Sequence, residues 1–150
     1  MSRMARVFRP WATREEAGQS LVEFAMILPV FLLLLFALVD FGRGFYSWMI
    51  VTNAAREGAR AAAVGLNDAA INDKIRDSYC DGASCSLEPG KMLVTKTNTV
   101  PQGGKRGEET TIAIAYDFDF VTPIGDLLHL VSGGSISEPT IRASSSMRLE

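Results

Sequence analysis

From Phe24 to Val39 every residue is apolar, with Leu21 and Val22 ahead of Glu23 and with Asp40 ending the run. Counted with its flanks from Leu21 to Phe45, the stretch reaches the roughly 20 residues that a helix needs to cross a bilayer. Past Gly44 the pattern changes. Phe45, Trp48, Met49, Thr52, Ala55, Ala59 and Ala62 recur at spacings of three and four, which predicts that the helix runs on as an amphipathic stalk. A continuous helix from Leu21 to Val64 would be about 65 Å long at 1.5 Å per residue. A bilayer core accounts for about 30 Å of that. Tyr46 and Trp48 suit the outer interface, Gly42 and Gly44 are places for a bend, and Gly65 is a helix stop.

Asn67 to Tyr79 reads as a second helix, capped by Asn67 or Asp68, with Ala70, Ile71, Ile75 and Tyr79 inward. The period then shortens to two. Ile112, Ile114, Tyr116, Phe118 and Phe120 alternate with polar or small residues over Thr111 to Phe120. Ile141, Ala143, Ser145, Met147 and Leu149 alternate likewise, and Lys91 to Thr99 is a third strand-forming run. Residues 101–107 form a turn between two of these strands. The expected class is α+β, a long N-terminal helix and a short helix with a small antiparallel sheet of about three strands. The divisions are 1–18 (basic leader), 19–44 (membrane helix), 45–79 (stalk and second helix) and 80–150 (β-rich exported domain).

Composition narrows the function. At 150 residues and a net charge of −2 the chain offers one modest domain and no basic field, so no nucleic-acid partner is expected. Arg3, Arg6, Arg9 and Arg14 precede the apolar run, whereas Asp40 and Arg43 beyond it cancel. Positive charge favours the cytoplasmic side, so the N-terminus reads as cytoplasmic and the C-terminal domain as exported. The two cysteines, Cys80 and Cys85, lie close together in a domain facing an oxidising compartment, which predicts a disulfide. A metal site is the alternative, but two thiols and the distant His129 fall short of four ligands, and His129 reads as a half-buried residue. Asp117 and Asp119 could invite a calcium ion or simply face water. No metal-binding His pair, nucleophile elbow or phosphate loop is present, so neither catalysis nor a cofactor is expected.

The apolar run has two readings. A cleaved secretory signal would end in a small-residue exit site, but Val39-Asp40-Phe41-Gly42-Arg43 is bulky and charged. Glu23 at the head of the run needs a partner, because an ionisable group in a membrane segment costs a few kcal/mol. Its candidates are an ammonium in the same chain, one on a neighbouring subunit, or the positive end of its helix; snorkelling to the headgroups is the fourth option. Pro29 inside the run leaves the carbonyl of Ala25 without its usual donor and predicts a kink or local unwinding.

The basic leader, Gly18, Glu23 five positions on and the long apolar helix resemble a type IV prepilin signal, which a membrane-embedded aspartic prepilin peptidase cuts after the glycine. More specifically, Gly18-Gln19-Ser20-Leu21-Val22-Glu23-Phe24, Leu28-Pro29, Asp40-Phe41-Gly42-Arg43 and Asn53-Ala54-Ala55-Arg56-Glu57-Gly58-Ala59-Arg60 are similar to the TadE-like proteins of tight-adherence (Flp) pilus systems. The resemblance covers about Ala17 to Val64. Family members often carry Glu where this chain has Asp40.

That resemblance implies cleavage between Gly18 and Gln19, with Gln19 as a new and often N-methylated terminus. It also implies a minor pilin-like or pseudopilin role in the bacterial inner membrane or the fibre. Its partners would be the peptidase, other pilins, the assembly platform and the lipid bilayer. Glycine suits the position before the cut, since a chain without Cβ can lie extended in a narrow cleft; a plain helix boundary is the competing use. The Ala-rich stretch around Arg56 and Arg60 could receive the β-rich domain or another subunit's helix. In either case the two arginines, with Glu57 in reach of Arg60, would serve packing or register. The reading from a different class is an uncleaved, permanently anchored envelope protein whose outer domain binds a ligand.

Overall fold

The computed structural model describes residues 13–134 and 139–150. Leader residues Arg3, Arg6 and Arg9 lie outside the described residues. One helix, α1, runs from Thr13 to Ala63. Pro29, Gly42 and Gly44 all sit within it, and the helix continues through each without interruption, so the unwinding expected at Pro29 does not occur. The membrane tolerance for proline in helices fits this: neighbouring groups can re-satisfy the freed carbonyl.

The end of α1 is built by Gly65, whose φ of +77° is the left-handed conformation a side chain would resist. There the N–H of Gly65 donates to the carbonyl of Ala62 (3.0 Å) and that of Leu66 to Ala61 (3.3 Å), the paired bonds of a Schellman cap. The N–H of Glu150 donates to the carbonyl of Ala63 at 3.0 Å, so the C-terminus of the chain completes the cap.

Helix α2 spans Asp68–Asp77, shorter at both ends than expected, with the Asn67 side chain accepting from the N–H of Ala70 at 2.8 Å. Ile71 and Ile75 are buried; Ala70 and Tyr79 are only half-buried. A two-stranded hairpin follows, β1 (Cys80–Asp81) and β2 (Ser84–Cys85).

Three longer strands form the main sheet: β3 (Met92–Thr97), β4 (Glu109–Asp117) and β5 (Thr140–Arg148), antiparallel in the order β3-β4-β5. The register stacks Met92, Tyr116 and Ile141 in one row, Val94, Ile114 and Ala143 in the next, and Lys96, Ile112 and Ser145 in a third, all on the face toward α1. Strand β4 begins two residues before the expected Thr111 and leaves the sheet after Asp117. Thr110 is thereby buried, with its hydroxyl donating to the carbonyl of Thr97 at 3.2 Å, while Phe118 and Phe120 continue beyond the sheet onto α1. On β5, Met147 is exposed rather than inward, and Leu149 past the strand end is buried.

The sheet docks on α1 from Asp40 onward, so the head begins four residues before the expected end of the membrane segment at Gly44. The buried stripe on α1 runs through Asp40, Ser47, Val51, Ala55, Ala59 and Ala62, with Gly44 half-buried between the first two. This corrects the expected face in its first half only: Ala55, Ala59 and Ala62 are buried as expected, but Phe45, Trp48 and Met49 remain exposed. Small residues win the interface because they let the sheet approach the helix backbone. Gly58 shows the limit, since a Cβ there would stand 2.7 Å from Cγ1 of Ile75 and 3.2 Å from Cγ2 of Ile112.

The connection from β4 to β5 holds a third helix that the alternation pattern did not predict, α3, from Ile124 to Ser132. None of its residues is buried, and His129, expected half-buried, is exposed.

Candidate functional site

The first part of α1 stands clear of the head. From Gly18 to Val39 every residue except the half-buried Phe36 is exposed. Among the described residues α1 is the one helix long and apolar enough to cross a membrane. Glu23 is exposed within it, and the side-chain amide of Gln19 donates to its carboxylate at 3.4 Å, one helical turn away. Helix α1 already includes Thr13, ten positions before Glu23, and the helix dipole acts only within the first turn, so in this uncut chain the N-terminal field does not reach the carboxylate.

Gly18 is helical, neither an extended segment nor the boundary of α1. An added Cβ there would meet nothing within 4 Å among the described residues. Glycine inside a helix costs roughly 0.5–1 kcal/mol relative to alanine, and neither packing nor backbone geometry calls for it here.

The head joins α1 at Asp40, a carboxylate whose side chain is only 3% exposed. Its Oδ1 accepts from the N–H of Val121 at 3.2 Å and its Oδ2 from the hydroxyl of Thr122. Arg43, one turn on, approaches Oδ1 at 3.5 Å, donates to the carbonyl of Asp119 at 3.3 Å and lies 5.3 Å from the ring centre of Phe118. Hydrogen bonds to a charged group contribute about 1.5–3 kcal/mol each, so this cluster fastens the loop after β4 to the exit of the apolar run. The lone acid at the end of that run was its signal, but reading Asp40 as cancelled by Arg43 hid its role, because its donors lie at Val121 and Thr122.

The remaining candidates fall elsewhere. Cys80 and Cys85 are joined in a disulfide across the β1–β2 hairpin. Arg56 and Arg60 are exposed on α1 and stay outside the buried face, which takes Ala55, Ala59 and Ala62. The expected reach of Glu57 to Arg60 is not among the ion pairs of the described residues. Asp117 accepts from the hydroxyl of Thr140 at 3.0 Å and Asp119 pairs with Lys91, so both carboxylates have protein partners.

No curated protein and no solved structure matches the chain. Residues 18–60 match the family described as TadE-like protein, a stretch that opens at Gly18, includes Glu23 and Asp40 and closes at Arg60. Over that stretch, apolar run and Ala-rich stalk together, the chain is similar to TadE-like proteins.

Proposed function

We propose that this protein is a minor pilin-like or pseudopilin component of a tight-adherence (Flp) pilus, cut after Gly18 by a prepilin peptidase and acting through helix packing. Its role is structural rather than catalytic. The observation that carries the reading is Gly18 itself: an exposed glycine inside a helix, with open space around it and a helical cost, serves nothing in the fold and suits an outside enzyme that must grip the backbone.

Cleavage would also resolve Glu23. Cutting before Gln19 moves the helix start to within one turn of the carboxylate and frees an ammonium there. At an effective dielectric near 20, unit charges about 4 Å apart attract by about 4 kcal/mol, comparable with the insertion cost. A helix end alone supplies only about 0.3–1 kcal/mol. A neighbouring subunit's freed terminus would serve equally, which makes Glu23 a sensor of assembly.

From Leu21 to Val39 the helix rises about 28 Å, close to the hydrocarbon thickness of about 30 Å. We therefore end the span at Val39, with the leader cytoplasmic, the head on the outer side of the bacterial inner membrane, and other pilins and the assembly platform as partners. Intact-mass analysis of the membrane form with and without an active prepilin peptidase tests this. A mature chain beginning at Gln19 is expected; retention of Met1 to Gly18 in the presence of the active enzyme overturns it in favour of a permanently anchored envelope protein.

A further inference from the structure

Helix α3 carries large apolar side chains that stand exposed. Its residues divide into three arcs at 100° per residue. Ile124, Gly125, Leu128 and Ser132 lie toward the head, where Gly125 sits so close to the Phe120 ring that a Cβ would come within 3.1 Å of its Cβ. Asp126 and His129 form an exposed polar arc. Leu127, Leu130 and Val131 form the third arc, and the last two are 82% and 80% exposed.

The height of this helix along α1 identifies what covers that third arc. Thr122, just before α3, donates to Asp40 at the end of the apolar run. Ile124 shares a groove with Ala37 and Phe41, so α3 begins beside the last turn of the run. A structure flanking that turn lies in the headgroup and upper acyl zone of any bilayer the run crosses. An amphipathic helix in that zone buries its apolar face about 5–10 Å into the lipid while its polar face stays wet.

We propose that α3 is a membrane foot: it rests in the outer leaflet with Leu127, Leu130 and Val131 in the acyl boundary and Asp126 and His129 toward water. The proposal rests on the reading of residues 21–39 as a membrane span. It deepens that reading by giving the head a second, shallow lipid contact that fixes its orientation on the bilayer. Helix α3 carries no Lys or Arg. Its seating therefore draws on apolar burial and does not depend on anionic lipid, unlike basic interfacial helices.

The test uses the full chain in vesicles of zwitterionic lipid. Both native cysteines are locked in the disulfide, so single labelled thiols can be introduced by Leu130→Cys, Val131→Cys, Leu93→Cys on the outer sheet face, and Leu34→Cys within the run. Each carries a fluorophore, read against lipids bearing a nitroxide either near the headgroup or near the acyl terminus. Labels at 130 and 131 are expected to lose most of their emission to the shallow nitroxide and little to the deep one, unchanged when anionic lipid is added. The label at 34 should respond to the deep nitroxide and the label at 93 to neither.

A quenched label at 34 with unquenched labels at 130 and 131 overturns the foot and leaves the span standing. An unquenched label at 34 overturns both. Labels at 130 and 131 that are shielded from an aqueous quencher yet untouched by either nitroxide mean that protein, such as a second copy, covers α3, and this too overturns the proposal.

Discussion

The hydroxyl of Thr122 donates to the carboxylate of Asp40 across a sequence separation of 82 residues. This contact joins the end of the apolar run to the loop that leads into α3, so the head is registered on α1 at the end of that run. Arg43 braces the same point by holding the Asp119 carbonyl at 3.3 Å and facing Phe118. Position along the helix is fixed at this end by the cluster, as it is farther along α1 by the close packing at Gly58 and by the Glu150 N–H donating to the Ala63 carbonyl.

Asp40→Ala is expected to destabilise the head by about 2–4 kcal/mol, since it removes two acceptors and leaves the Val121 N–H without a partner. Asp40→Asn should recover only part of this loss: its Oδ1 can still accept from the Val121 N–H and its amide can donate to the Thr122 hydroxyl, but the charge that strengthens both bonds and attracts Arg43 is gone. Hydrogen exchange read at Val121 and through α3 checks both. Protection there equal to the unaltered chain in Asp40→Ala would mean that the junction is held by the aromatic contacts alone.

Much of this architecture was legible because its signals are local. The apolar run, the two-residue period of β4 and β5, and the Asn67 cap each depend on near neighbours. The phase of α1 was legible only in its Ala-rich part, where Ala55, Ala59 and Ala62 are buried; before that the period follows large side chains such as Phe45 and Trp48, whereas Ser47 and Val51 are the buried positions. Helix α3 was missed for a related reason. Leu127 to Val131 is a short apolar run whose period is ambiguous, and its protein partners, Phe120 and the α1 groove, come from other elements. Gly18 and Glu23 could be singled out as candidates because they lie within one short segment, whereas Asp40 needed its remote donors.

Glu23→Gln separates charge from shape. The amide keeps the size and a hydrogen-bonding tie to Gln19 but cannot attract a freed ammonium, so membrane insertion should be normal or improved while pilus assembly falls. Counting pili on cells carrying the variant, alongside fractionation of the protein, reads both. Wild-type piliation would remove the carboxylate's charge from the mechanism.

Reducing the disulfide should have a small and confined effect. Cys80 and Cys85 close a loop with a sequence separation of five, for which chain entropy predicts about 2 kcal/mol of stabilisation. The hairpin lies outside the β3-β4-β5 sheet. Denaturant unfolding of the Cys80→Ser/Cys85→Ser chain is therefore expected to show a lower midpoint with the sheet's circular dichroism preserved before the transition. Loss of the sheet signal in native buffer would show that the hairpin nucleates the head.

Gly58 tests how closely α2 and the sheet converge on α1. Alanine in an exposed helix gains up to about 1 kcal/mol over glycine. Here the new methyl meets Ile75 at 2.7 Å and Ile112 at 3.2 Å, and overpacking of this kind costs about 1–3 kcal/mol. Gly58→Ala is thus expected to destabilise on balance, opposite in sign to its effect on a free helix. Truncating the obstacle isolates the cause: Ile75→Ala alone opens a cavity and costs about 2–5 kcal/mol, but in that background Gly58→Ala should become neutral or stabilising. A double-mutant cycle from denaturant midpoints measures the coupling. Equal effects of Gly58→Ala in both backgrounds would mean that α2 has room to shift, and that glycine at this position does not set the spacing between the two helices.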